Sequence, residues 1–227
     1  MNIHPTRVDQ ASTLAVDLPL KTVNRADQIA TALHRATDAA IWSRTVPAGV
    51  HAWINELAAE MLPARRSVLS PDQVAACMRD AFQDVGVLLS PALRWIAEDA
   101  QALASHVARA ANTPLVRMRL DPISNNACRL MHVDNIFARL ICTYRGPGTE
   151  LGLQSGDSPA MAQVPTGLPI YLKGKQWPGA DLAGLNHRSP PIEGTGLTRW
   201  VLVLEGCRKE DIYPIYDEVY EGATGIG

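Results

Sequence analysis

The chain has 227 residues, of which 47% are hydrophobic, so it can bury a full core within one compact domain. Its formal net charge of −2 gives no basic field, which argues against nucleic acid and anionic membranes as partners. No apolar run approaches the roughly 20 residues of a membrane span, and the N-terminal residues lack the pattern of a signal peptide. The 4 cysteines include no Cys-x-x-Cys pair, so we expect free thiols in a reducing cytoplasm.

A polar, irregular stretch over residues 1–19 indicates a flexible arm. Residues 20–112 then favour helices. Apolar residues recur at helical spacing from Ile29 to Ile41 and again from Trp53 to Leu62, where Pro63 ends the pattern. We therefore expect the N-terminal half of the chain to be helical.

Two helix starts carry a stronger local signal. Ser70-Pro71 and Ser90-Pro91 each place a capping serine before a proline at the first helical position, and Gln73 can complete a capping box at the first of them. From Ser90 the apolar residues recur at intervals of three and four as far as Asn112. These two starts predict the best-defined helices of the chain.

The pattern changes to short strands after Asn112, over residues 113–227. Turn residues separate these strands and no helix intervenes, which favours an antiparallel sandwich or barrel. The expected fold class is α+β, with a helical N-terminal half packed on a β C-terminal half. The predicted strands are Leu115–Leu120, Cys128–Asp134, Ile136–Tyr144, Leu168–Gly174 and Leu197–Leu204.

His132 and Asp134 are separated by one residue within a predicted strand. Side chains at i and i+2 of a strand point the same way, about 7 Å apart at Cα, so an imidazole and a carboxylate can converge on one ion. Together with a distant histidine they would form a 2-His-1-carboxylate set, which leaves open positions on a metal such as Fe(II). We take His187 as that histidine. The alternative is a histidine beside a turn aspartate, without a metal.

Cys128 could suggest zinc, because it precedes His132 by four residues. In an unbent strand that separation is roughly 13 Å, which is too far for both residues to share an ion. We therefore leave Cys128 out of the ligand set.

Arg199 follows His187 by twelve residues and lies near the start of the most strongly predicted strand. A guanidinium binds a carboxylate as a two-pronged fork and stays charged when half buried. Arg199 could therefore bind the carboxylate of a ligand beside the metal. The alternative is an ion pair between Arg199 and an acidic residue such as Glu193 or Glu205.

Five strings of the sequence are specific: Ala40–Arg44, His132–Asn135, Arg139–Glu150, Tyr171–Gly174 and His187–Pro191. They resemble a bacterial family catalogued as domain of unknown function 1826, and the similarity covers nearly the whole chain. The order His-x-Asp, distal His, basic residue is also similar to that of the jelly-roll dioxygenases that use Fe(II) and 2-oxoglutarate. That second likeness implies a double-stranded β-helix, or cupin-like fold, for the C-terminal half.

The oxygenase likeness also implies roles for further residues. Fe(II) would be bound by the two histidines and the aspartate, and 2-oxoglutarate, the small-molecule co-substrate, by Arg199, with Tyr144 and Lys173 as secondary candidates. A small or peptide-like substrate would meet the residues at the opening of the site. These residues would be Asn135, Arg139 and Arg188.

Two alternatives to the oxygenase interpretation imply different chemistry. The same three ligands could hold zinc or another ion in a cupin-like protein of metal sensing or homeostasis, which needs no basic group aimed at an open metal edge. A structural or partner-binding domain would hold no metal, and its His187 would lie far from His132.

Overall fold

The computed structural model of the protein describes residues 18–179 and 182–208, so the predicted arm lies almost entirely outside the described residues. The strands are β1 Leu20–Val23, β2 Ala39–Trp42, β3 Arg65–Leu69, β4 Leu115–Ile123, β5 Ala138–Arg145, β6 Glu150–Gly152, β7 Ala162–Gln163, β8 Pro169–Lys173, β9 Asn186–Arg188 and β10 Arg199–Cys207. The helices are α1 Gln28–Thr31, α2 Ala48–Glu56, α3 Val74–Asp84 and α4 Pro91–Ala111, with short 3-10 turns at Ala59–Met61 and Pro71–Gln73. Among these helices, none is both long enough and apolar enough to cross a bilayer.

Two sheets face each other across an apolar layer. The large sheet has seven strands in the order β1-β2-β8-β5-β10-β4-β3, and the small sheet has three in the order β7-β6-β9. Every pairing in the large sheet is antiparallel except that of β1 with β2. Leu151 of the small sheet packs with Ile141 and Val203 of the large one, while α2, α3 and α4 cover the opposite face of the large sheet.

The N-terminal half is not the helical unit that the sequence pattern predicted. It contributes β1, β2 and β3 to the same sheet as the C-terminal strands, and α1 is only four residues long. Ala39, Ala40 and Ile41 belong to a strand paired with β8, although they continue a helical stripe. A strand inside a sheet is covered on both faces, so its residues form an unbroken apolar run that also fits a helix.

The two capped helix starts are confirmed. Ser70 and Gln73 form a reciprocal capping box, and the Ser90 hydroxyl accepts a hydrogen bond of 3.1 Å from the Leu93 amide. Helix α4 ends at Asn112, which has a left-handed φ of 51°. This conformation is typical of a helix terminus and stops α4 just before β4 begins.

The end of α4 lies directly against β10, and we use this contact to test the packing. A Cβ added at Gly206 would lie 2.3 Å from Ala111 Cβ and 2.9 Å from Thr113 Oγ1. We expect Gly206→Ala to lower the free energy of unfolding by about 1–3 kcal/mol, because the helix must move away. Gly49→Ala, in α2 with open space around its Cβ, is the control and should be neutral or stabilising. Equal urea midpoints for the two variants would contradict this packing.

Candidate metal centre

Main-chain pairing brings the two predicted histidines together. His132, in the connection between β4 and β5, forms an isolated antiparallel bridge with His187 in β9. Each amide donates to the other residue's carbonyl at 3.0 Å. Residues directly opposite each other in an antiparallel pair project their side chains to the same face. The two imidazole centroids are accordingly 4.6 Å apart.

Asp134 completes a group of three donors. Its Oδ1 lies 3.5 Å from Nε2 of His132, and its Oδ2 lies 3.2 Å from Nε2 of His187. One donor atom from each residue lies within 4.8 Å of the other two, a spacing that could hold a metal ion. The alternative without a metal required His187 to be far from His132, and the structure has these residues side by side.

The segment that carries His132 and Asp134 is not the predicted strand. Cys128 has a φ of 55°, a left-handed conformation that interrupts an extended chain. Met131 and His132 form only isolated bridges. Because the chain bends, Cys128 lines the same cavity as the two histidines, although it is not among the three residues with ligand spacing.

The hydrogen bonding of His132 favours its use as a ligand. Its Nδ1 lies 2.8 Å from the Leu130 carbonyl, and because a carbonyl only accepts, Nδ1 carries the hydrogen in that contact. In the neutral ring, Nε2 is then unprotonated, and its lone pair faces the Asp134 carboxylate. Two electron-rich atoms at this distance need either a proton or a metal ion between them. Ligands about 2.1 Å from one ion are roughly 3.0–3.4 Å apart at octahedral or tetrahedral angles, close to the two spacings around Asp134.

The electrostatics of the three groups also suit metal binding. Burial raises the pKa of the Asp134 carboxyl, but hydrogen bonds from His132 and His187 and the charge of Arg139 outweigh it and hold that pKa well below its usual range. Burial lowers the pKa of His187, whereas the hydrogen bond to Asp134 raises the pKa of His132. At neutral pH the carboxylate is therefore charged and His187 presents a neutral ring.

Arg199 lines the same narrow cavity as His132 and His187. It is only 1% exposed. Its Nε donates to the Pro147 carbonyl at 2.6 Å and its Nη2 to the Thr143 hydroxyl at 3.3 Å. Its Nη1 is buried without a hydrogen-bond partner. The guanidinium therefore has one nitrogen left to bind a ligand.

The alternative ion pair of Arg199 with Glu193 or Glu205 does not form. Glu205 accepts instead from Arg139, and Glu193 is exposed. Burial lowers the pKa of Arg199 to about 10, opposed by the charge of Glu150. Within the described part of the chain, no carboxylate lies within ion-pair distance of the Arg199 guanidinium.

Two residues predicted to meet a substrate line the cavity, but acidic side chains already hold them. Arg139 donates to Asp134 at 2.7 Å and to Glu205 at 2.8 Å. Arg188 donates to Glu150 at 2.6 Å. Each of these arginines is therefore partly neutralised within the protein.

Three other predicted residues lie outside this cavity. Tyr144 points to the opposite face of β5, because side chains alternate along a strand, and its hydroxyl donates to Asp99 at 2.6 Å. The Lys173 ammonium donates to the His34 carbonyl at 2.6 Å. Asn135 is exposed and does not line the cavity.

Thr143 is a site residue that the sequence analysis missed. Its hydroxyl accepts from Arg199, and it lies on the same face of β5 as Arg139 and Ile141, which line the cavity. The alternation of side chains between the two faces of β5 would have identified Thr143, because it follows Arg139 by four residues. Tyr144 is one residue out of phase with them.

The family described as "Protein of unknown function (DUF1826)" matches residues 24–205. The chain belongs to this family. The match confirms the resemblance that the strings around His132 and His187 suggested. A search of curated proteins finds no significant match.

Several solved structures resemble this DUF1826 chain distantly. The dioxygenase for auxin oxidation from rice is 16% identical with a TM-score of 0.47, covering 86% of this chain and 85% of the other. The Arabidopsis thaliana enzyme in complex with 2-oxoglutarate is 13% identical with a TM-score of 0.46, covering 88% and 97%. Hydroxypropylphosphonic acid epoxidase from S. wedmorenis is 13% identical with a TM-score of 0.28, covering 40% and 44%.

The position of Tyr144 gives a test of which face of β5 carries the site. Tyr144→Phe removes the hydrogen bond to Asp99, so we expect it to lower the free energy of unfolding by about 1 kcal/mol. Uptake of a divalent metal should not change, because the hydroxyl lies on the other side of the sheet. Urea denaturation and a Mn(II) titration would measure the two effects. Loss of metal uptake with stability unchanged would put Tyr144 in the site.

Proposed function

We propose that this protein is an Fe(II)- and 2-oxoglutarate-dependent oxygenase. His132, Asp134 and His187 would hold the ferrous ion from one side and leave adjacent positions open. Their donor atoms have the spacing of ligands to a single ion. When bound, the ion and the keto acid would supply the oxidising chemistry with O₂, and the protein positions them.

The observation that carries the proposal is the buried, incompletely bonded guanidinium of Arg199, which lines the same cavity as His132 and His187. Burying a cation without a counter-charge is costly, and each unmade hydrogen bond adds to that cost. An anion that enters the cavity would remove both penalties. The distal carboxylate of 2-oxoglutarate fits this requirement, because it can accept from Nη1 of Arg199 while the other end of the molecule reaches the metal.

The remaining walls of the cavity would keep water from the reacting groups. The aliphatic side chains of Ile123, Ile141, Val201 and Val203 line it. Its volume is about 40 Å³, whereas pockets for small ligands span roughly 300–1,000 Å³. Binding of the keto acid therefore requires wall side chains to move apart. Arg188, which also lines the cavity, is the candidate to contact the substrate.

Metal analysis and calorimetry together test the proposal. Protein purified without chelator would be analysed for bound metal, then loaded anaerobically with Fe(II) and titrated with 2-oxoglutarate. We expect the keto acid to bind to the Fe(II) form and not to the metal-free form. Tight zinc with no response to 2-oxoglutarate would instead support a non-oxygenase metal protein.

The ligand assignment predicts a clear phenotype for His132. We expect His132→Ala to take up no Mn(II) in an equilibrium titration, because one of three protein ligands is lost. His106→Ala, on the surface of α4 and in contact with Arg109, is the control and should bind like the wild type. Unchanged Mn(II) affinity in His132→Ala would remove this residue from the ligand set.

The assignment of Arg199 predicts that metal and keto-acid binding can be separated. Arg199→Gln should keep metal affinity and weaken 2-oxoglutarate on the order of 10- to 100-fold, the effect of losing a hydrogen-bonded charge partner. Arg188→Gln removes the same charge from the same cavity and should leave keto-acid affinity unchanged. Calorimetry on the metal-loaded proteins would measure both. Equal losses in the two variants would mean that only the overall charge of the cavity matters.

A further inference from the structure

The three candidate ligands are not held in the same way. His132 and His187 are fixed by their mutual main-chain bridge. Asp134 lies beyond that bridge, outside any strand, and its carbonyl accepts from the Lys175 amide at 2.9 Å. These main-chain contacts therefore fix the backbone position of Asp134, but not the orientation of its carboxylate.

A side chain from the large sheet holds that carboxylate. Arg139 is the second residue of β5, and its Nη1 donates to Oδ2 of Asp134 at 2.7 Å. On its other side, Nε and Nη2 of Arg139 donate to Oε1 of Glu205 at 2.8 and 2.5 Å. Arg139 thus links a residue of an irregular segment to the paired strands β5 and β10.

Glu205 both orients and neutralises Arg139. It lies on β10, next to the paired residues Leu204 and Leu140. The side chains of Asp134, Arg139 and Glu205 are 15%, 17% and 12% exposed, so solvent competes little for these hydrogen bonds. The charge of Arg139 is partly offset by Glu205, which also pairs with Arg117 at 3.4 Å, so Arg139 orients the carboxylate and repels an ion at the three donors less than an unpaired guanidinium would.

We propose that Arg139, oriented by Glu205, is a positioning residue that fixes the Asp134 carboxylate for the metal. This inference rests on the proposed function. With Oδ2 held by Arg139, the carboxylate cannot rotate freely, and Oδ1 stays directed toward His132. The predicted substrate contact at Arg139 is replaced by this role, because all three of its nitrogens are bonded to acidic side chains.

The test measures Co(II) affinity and the visible spectrum of the Co(II) protein, which reports ligand geometry without any turnover. Arg139→Gln should weaken Co(II) binding by roughly 10- to 100-fold, the usual effect of removing a group that orients a metal ligand, and should change the spectrum. The Co(II) affinity of Arg139→Lys should lie between those of the wild type and Arg139→Gln, because an ammonium can still donate to Asp134. Arg119→Gln is the matched control: Arg119 lines the same cavity but pairs with Asp121 at 2.7 Å, and its loss should leave both readouts unchanged.

A double-mutant cycle separates positioning from general stability. Glu205→Gln should weaken Co(II) binding by a smaller factor, and this effect should vanish in the Arg139→Gln background, because Glu205 acts through Arg139. Equal effects of Glu205→Gln in both backgrounds would contradict the inference. If Arg139→Gln does not fold, Arg139→Lys and Glu205→Gln carry the test, and wild-type affinity in both would overturn it.

The outcome also distinguishes this inference from the proposed function. A wild-type protein that takes up no Co(II) contradicts both. If the wild type binds Co(II) and 2-oxoglutarate while Arg139→Gln keeps wild-type Co(II) affinity and spectrum, the positioning role alone is wrong. Tighter Co(II) binding in Arg139→Gln would mean that repulsion by the guanidinium outweighs its orienting effect, and would also overturn the inference.

Discussion

The candidate site depends on one antiparallel bridge, the pair of hydrogen bonds between His132 and His187. This bridge joins the connection before β5 to the small sheet, so two distant parts of the sequence present imidazoles on one face. Asp134 reaches the pair only because it follows His132 by two residues. Breaking the bridge would separate the donors even if every side chain were retained.

The central strands β5 and β10 connect this site to the rest of the protein. On one face of β5, Arg139 and Thr143 contact Asp134 and Arg199. On the other face, Tyr144 reaches a buried ion pair between the helices and the sheet. The side chains that hold the site therefore stand on two adjacent, largely buried strands of the large sheet. Such rigid support favours a fixed ligand geometry over an adaptable one.

Local spacing was enough to predict that His132, Asp134 and His187 lie together, but not the contacts around them. The His-x-Asp pair and the order of His187 and Arg199 can be recognised from the sequence alone. The hydrogen bonds from Arg139 to Glu205 depend on the register between β5 and β10, which no local sequence pattern specifies. Tyr144, one residue out of phase with Thr143, bonds to Asp99 on the opposite face of β5, and Lys173 binds the His34 carbonyl.

The fold of the C-terminal β half was predictable from the sequence, and that of the N-terminal half was less so. Strands β4, β5, β8 and β10 and the helices capped at Ser70 and Ser90 agree with the sequence pattern. The strand Ala39–Trp42 was not recognised, because a strand buried on both faces has no alternation and imitates a helical stripe. Long-range pairing, rather than local propensity, decided the structure there.

Absorption spectroscopy under anaerobic conditions tests the central claim most directly. Fe(II) and 2-oxoglutarate would be added to the wild-type protein separately and then together. A visible band that appears only with both present, and is lost when His187 is replaced by alanine, is the predicted result, because it requires the keto acid to reach a metal held by these residues. A protein that binds Fe(II) but gives no new band with saturating 2-oxoglutarate would contradict the oxygenase assignment.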